Sequence, residues 1–162
     1  MNVDVPNLSP LAVEPITCPT SDSDIRRLLQ YSCEERLSGI WRLLAFGLLS
    51  VDEVSALEWS QVHVYSGRVM VRGVDRAPSS DNTSAPRVVA LDHGTTAALV
   101  RLRVWRSQRR LALGELWSRT NKVLVNHDGS PMTRSELEWE FALLSRAALL
   151  PHLTFADLAP AP

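Results

Sequence analysis

Ile40 to Val62 reads IWRLLAFGLLSVDEVSALEWSQV, and the architecture of the chain turns on this stretch. Between Ile40 and Leu49 nearly every residue is apolar and Arg42 carries the only charge, the pattern of a helix buried on most sides. A Ser50-Val-Asp-Glu53 turn follows. Val51, Val54 and Leu57 then recur at three-residue steps up to Trp59, and from Gln61 to Tyr65 the pattern switches to alternation. The predicted order is central helix, short helix, strand.

On the N-terminal side, Ser21, Asp22 or Ser23 can cap a helix over residues 24 to 31, because short polar side chains satisfy the first free backbone N–H groups. Leu28 and Leu29 are its buried positions. A second start at Ser32 to Glu35 leads into the central helix, where Gly39 and Gly47 cost some stability that close helix packing offsets. Residues 1 to 22 hold Pro6, Pro10, Pro15 and Pro19 among Ser, Thr and Asn without an apolar period, which reads as an extended arm. Residues 23 to 162 then form one domain, a size that supports a single core.

On the C-terminal side, Ser66-Gly67 is a hairpin turn and residues 68 to 72 alternate as a half-buried strand. Residues 73 to 86, GVDRAPSSDNTSAP, form a polar loop, and residues 87 to 91 return as a third strand. Asp92 caps a helix running roughly from 95 to 113. Its apolar stripe of Ala98, Leu102 and Trp105 adjoins a basic stripe of Arg103, Arg106 and Arg110. Residues 122 to 126 are extended and His127 to Pro131 turn. Thr133-x-x-Glu136 is a capping box ahead of Leu137, Phe141, Leu144 and Ala148 at helical spacing. The fold class is therefore α+β, mainly α, with a small three-stranded antiparallel sheet.

Sixteen of the seventeen cations are arginine, Lys122 being the one lysine, and the net charge of −1 opposes strong non-specific DNA binding. The charge is uneven. Residues 1 to 66 hold four arginines against nine acids, and residues 67 to 162 hold thirteen cations against nine acids, so any nucleic-acid face belongs to the second part. No apolar run reaches the roughly 20 residues of a membrane helix, and the N-terminus has no signal-peptide pattern, so a cytoplasmic protein without a membrane partner is expected. Cys18 and Cys33 lack CxxC spacing and read as reduced thiols. His63, His93, His127 and His152 lack ligand spacing, and no GxGxxG, GxxxxGK[ST], GxSxG or HExxH motif occurs; neither a metal nor a small-molecule cofactor is expected. The five tryptophans, from Trp41 to Trp139, fall mostly on apolar stripes, where core packing is the default over base stacking.

The block Gly47 to Val62, followed by a hairpin, resembles the catalytic domain of tyrosine recombinases, the phage integrase family. That family's pattern runs Thr-Gly-Leu-Arg-x-Gly-Glu-Leu-x-x-Leu-x-Trp-x-Asp-Val, and here Glu53, Leu57, Trp59 and Val62 keep their places. Further on, the family shows an extended segment, an Asp-Gly-x-Pro turn, a helix, Ala-Gly-Leu and then Leu-Thr-Phe-His-Asp-Leu-Arg; the chain reads Leu153-Thr-Phe-Ala-Asp-Leu-Ala159. The resemblance implies an integrase-catalytic-core-like arrangement of helices and a role in DNA recombination or integration.

It also implies which positions carry chemistry. Recombination needs a tyrosine phenolate attacking a DNA phosphate, with cations stabilising the transition-state oxygens. The family's first arginine falls on Ser50, its lysine near Asp75, its histidine on Ala156 and its second arginine on Ala159. Tyr31 and Tyr65 are not in the nucleophile's place, and Pro160 and Pro162 end the chain ahead of the segment that carries it. The expectation is a truncated, non-catalytic relative, a pseudoenzyme of a mobile genetic element. It would bind DNA, an active recombinase, or both, to regulate integration or excision. Arg72, Arg76, Arg87, Arg103, Arg106 and Arg110 are the candidate contacts to DNA or to an acidic partner, set against the alternative of a solvated basic face. A second reading is a protein-interaction module in which the Pro-rich arm and the arginine helix act without DNA.

Overall fold

The computed structural model describes residues 21–72 and 86–158. The arm up to residue 20, Cys18, the loop from 73 to 85 with Asp75 and Arg76, and Ala159 with the residues after it lie outside the described residues. Helix α1 spans Asp22–Tyr31, capped by Ser21, whose hydroxyl accepts from the Ser23 amide; Asp22 and Asp24 add negative charge at the positive end of its dipole. Leu28 and Leu29 are buried as predicted. After a 3-10 turn over Ser32–Glu34 comes α2, Ser38–Ala45.

Helix α2 is the central helix, with Ile40, Trp41, Leu43 and Leu44 all buried. It is shorter than its apolar run. The sequence predicts helix up to Leu49, but Phe46 is the C-cap and Gly47 turns left-handed at φ +61°. The Gly47 amide then bonds the Leu44 carbonyl at 2.9 Å and the Leu48 amide bonds that of Leu43 at 3.0 Å, the paired closure of a Schellman motif. Leu49 stays buried in the turn, so its apolarity gave no sign of the stop. The two glycines also part company. A Cβ on Gly39 would lie 3.0 Å from Leu99 Cδ2, which is the predicted close helix approach, whereas a Cβ on Gly47 would meet nothing within 4 Å.

Helix α3, Val51–Ala56, begins with a reciprocal capping box between Ser50 and Glu53. A 3-10 turn at Trp59–Gln61 leads to β1, Val62–His63. The alternation predicted through Tyr65 is cut to two residues because Val64–Ser66 form another 3-10 turn and Gly67 adopts φ +59° to reverse the chain. Strands β2, Arg68–Val71, and β3, Arg87–Ala90, complete an antiparallel sheet in the order β1-β2-β3, with Val62 opposite Val69 and Val69 opposite Val89. Val69 and Val71 face the core while Met70 faces out.

Helix α4, His93–Leu113, is capped by Asp92 and buries Ala98, Leu99 and Leu102, with Leu99 against Gly39 of α2. The extended segment after it is tied to the α3 end through Val123 N to Leu57 O at 2.9 Å and Trp59 N to Asn121 O at 3.0 Å. Gly129, at φ +83°, lies so close beneath Trp117 that a Cβ would come within 2.5 Å of the indole. Helix α5, Arg134–Ala147, starts at the predicted Thr133/Glu136 capping box, and α6 is Phe155–Leu158. Edge-to-face contacts run from Trp41 to Phe141 at 5.7 Å and from Phe141 to Phe155 at 5.8 Å, joining α2, α5 and α6. Trp139 departs from the packing expectation. It is 63% exposed, because the buried face of α5 is set by Leu137, Phe141 and Leu144. Among the described residues, no helix is long and apolar enough to cross a membrane.

Candidate functional site

Ser50 sits where α2 has just turned over into α3, and its side chain is occupied with the backbone. Its hydroxyl accepts from the Glu53 amide at 3.3 Å, and its own amide donates to Glu53 Oε2 at 2.8 Å. The same carboxylate receives Arg87 Nη2 at 2.9 and 2.8 Å, while Arg87 Nη1 donates to the Leu48 carbonyl at 3.2 Å. A guanidinium from β3 is thus held beside the α2–α3 junction, its charge matched by Glu53.

Next to this pair lies a shallow pocket of about 150 Å³ lined by Glu53, Glu58, Leu57, Gln61, Val71 and Arg72. With Glu53 already matched by Arg87, Glu58 and the exposed Arg72 balance, so the lining carries no excess of positive charge. Ala156 is exposed on α6, where Asp157 accepts from both the amide and the hydroxyl of Thr154 at 2.8 and 2.7 Å.

On α4 the predicted basic stripe exists, but much of it is committed within the molecule. Arg106 donates to the Thr120 carbonyl, and burial, then repulsion from Arg110, lower its pKa from the ordinary guanidinium value. Arg109 Nε donates to the His127 carbonyl at 3.1 Å, and Arg101 to that of Cys33. Arg103 lies over the Trp59 ring, 5.9 Å from its centroid. Arg110 and Arg72 are exposed. Of the six candidate arginines, Arg103, Arg106 and Arg110 share a helix, Arg72 and Arg87 belong to the sheet, and Arg76 is outside the described residues.

Sequence reasoning missed Arg36. Its side chain, 11% exposed, donates to the Val125 carbonyl at 2.7 Å, pairs with Glu140 at 3.2 Å and lies 4.9 Å from the Trp105 ring centroid. Burial lowers its pKa, and Glu140 and Glu35 oppose that shift. The arginine stood in a stretch read as a helix start, and its acid partner is 104 residues away, so no local signal was there to find. Beside it a pocket of about 180 Å³ opens between the start of α2 and α5, lined by Glu35, Leu37, Trp41, Glu140, Leu143 and Ala147.

No protein-family model matches the sequence, and no curated protein matches it. Solved structures do match the fold. The XerA recombinase aligns with a TM-score of 0.64 and 20% identity over 86% of this chain and 46% of that one. The integrase of the Tn1549 transposon, solved in complex with transposon right end DNA, aligns with a TM-score of 0.60 and 14% identity over 91% of this chain and 52% of that one. The chain spans about half the length of the structures it matches. The described helices and three-stranded sheet therefore have a tyrosine recombinase/integrase-like fold, reached from residues that share few identities with either structure.

Proposed function

We propose that this chain is a non-catalytic recombinase-like protein that associates with DNA, an active recombinase, or both, and regulates DNA integration or excision in a mobile genetic element. One observation carries the reading. At the α2–α3 junction, where the resemblance calls for a phosphate-binding arginine, Ser50 is a helix cap and the nearby Arg87 guanidinium is neutralised by Glu53. An anionic phosphate meets a matched ion pair there rather than free positive charge. The test mixes the full chain with an active recombinase of the same element on its recombination-site DNA. A supershifted complex with altered recombination, and no covalent adduct of this chain on nicked substrate, is the expected result. An adduct to this chain, or an unchanged reaction, would refute it.

A second reading, a protein-interaction module without DNA, draws on Arg101, Arg106 and Arg109, each of which donates to a backbone carbonyl of its own chain. Fluorescence anisotropy across salt separates the two: DNA affinity falling with a slope of several counterions supports the first, and no binding at about 50 mM salt the second.

A further inference from the structure

Helix α5 buries Leu137, Phe141 and Leu144 and leaves a second apolar stripe uncovered on its outer side, where the exposed Trp139 and Leu143 lie one turn apart. Leu143 borders the pocket of about 180 Å³ that Leu37 and Trp41 also line. In that pocket Glu140 is matched by Arg36. On the stripe itself Arg146 is exposed and, among the described residues, has no acidic partner. The face is thus apolar with one uncompensated positive charge.

The chain before α1 joins the domain on this side. Asp24, in the first turn of α1, contacts His152 at 3.1 Å, just past the end of α5. Glu35, four residues beyond the other end of α1, lines the pocket. The ten residues of α1 rise about 15 Å and the following 3-10 turn about 8 Å, so Ser21 lies no more than about 25 Å from the pocket. The residues ahead of Ser21 read MNVDVPNLSPLAVEPITCPT, with Leu8, Leu11, Val13 and Ile16 among prolines that oppose a helix. Their side-chain charges are Asp4 and Glu14, without a lysine or arginine. From Leu11 to Ser21 an extended chain reaches about 33 Å, enough to lie along α5.

We infer that this Pro-rich arm folds back on the outer face of α5, with Leu11 and Val13 covering Trp139 and filling the pocket at Leu143, and Glu14 pairing with Arg146. Attachment point, reach and charge sign choose the arm of the same chain as occupant. The tether sets an effective concentration in about the millimolar range, so a modest apolar contact suffices to hold it. This docking is separate from the recombination reading and stands without it.

A nitroxide label on Ser9→Cys, in the full chain with Cys18→Ser and Cys33→Ser, tests it through the amide NMR spectrum. The Trp139 indole and Leu143 amide signals should be lost to paramagnetic broadening. Arg146→Glu should restore much of their intensity, and Glu14→Arg added to it should remove the intensity again. Leu143→Glu should release the arm as well, its own spectrum showing whether the domain is folded. Mixing spin-labelled copies with separate isotope-enriched, unlabelled copies should give no broadening. Signals at full intensity in the labelled chain, or a loss that Arg146→Glu leaves unchanged, would overturn the inference. So would a charge swap that fails to bring the broadening back. Broadening in the mixed sample would give the face to a second copy and overturn it too.

Discussion

Arg87 Nη2 contacts both carboxylate oxygens of Glu53, at 2.9 and 2.8 Å, and so ties the third strand to the first turn of α3 across 34 residues of sequence. Glu53 in turn accepts the Ser50 amide, so one carboxylate closes a helix cap and a tertiary ion pair together. The Arg87 side chain is about half exposed and solvent screens the pair. A double-mutant cycle with Arg87→Met and Glu53→Gln should therefore give a coupling of only about 0.5–1 kcal/mol. Glu53→Ala, which also removes the reciprocal cap, should cost about 1–2 kcal/mol in urea unfolding.

Arg36 is a different kind of cation. Its guanidinium bridges the start of α2 to the Val125 carbonyl and to Glu140 on α5 from a nearly buried position. Arg36→Ala leaves that carbonyl without its donor and should lower stability by about 2–3 kcal/mol. Arg36→Lys keeps the charge but loses the planar fork, and about half of the loss should remain. The urea midpoint of each variant measures this, with an unchanged slope showing that the fold is retained.

The Schellman closure occurs twice, once with glycine and once without. After α5, Leu149 adopts φ +59° while its amide bonds Arg146 O at 3.0 Å and the Leu150 amide bonds Ser145 O at 2.8 Å, the same pair of bonds that Gly47 and Leu48 make after α2. Leu149 is 83% exposed, so its side chain gains little there, and its Cβ makes the left-handed backbone costly. Leu149→Gly should raise stability by roughly 1 kcal/mol, and Gly47→Ala should lower it by a similar amount. Thermal and urea unfolding of the two variants would show opposite shifts.

Acid should destabilise the domain through carboxylates that are held ionised. Burial pushes the Asp92 carboxyl up, but bonds from the Thr95 hydroxyl and amide, with Arg42 nearby, outweigh it and hold the group below the usual range. The Thr133 amide and hydroxyl lower Glu136, and the Ser130 hydroxyl and amide lower Asp128. Depressed folded values mean that this stabilisation is complete above the ordinary carboxylate range, about pH 4 to 4.5, and is lost as pH falls through the lower folded values. The urea midpoint should be level at mildly acidic pH and drop below about pH 4, and Asp92→Asn should flatten that drop.

Much of the fold was legible because its signals act over a few residues. The Thr133/Glu136 capping box, the Asp92 cap and the alternation from Arg68 to Val71 each depend on neighbours within one turn or one strand, and all three stand where the sequence placed them. By itself the sequence determined the element order, the buried faces and a recombinase-like plan. Tertiary structure alone decided that Trp139 faces out, that Arg87 is matched by Glu53 and that Arg36 is locked between Val125 and Glu140. The reason is range: periodicity and capping are set by the chain's immediate neighbours, whereas a cation's partner depends on which distant segments the core brings together. The same arginine can therefore read as a free contact in sequence and be a bound one in the folded chain.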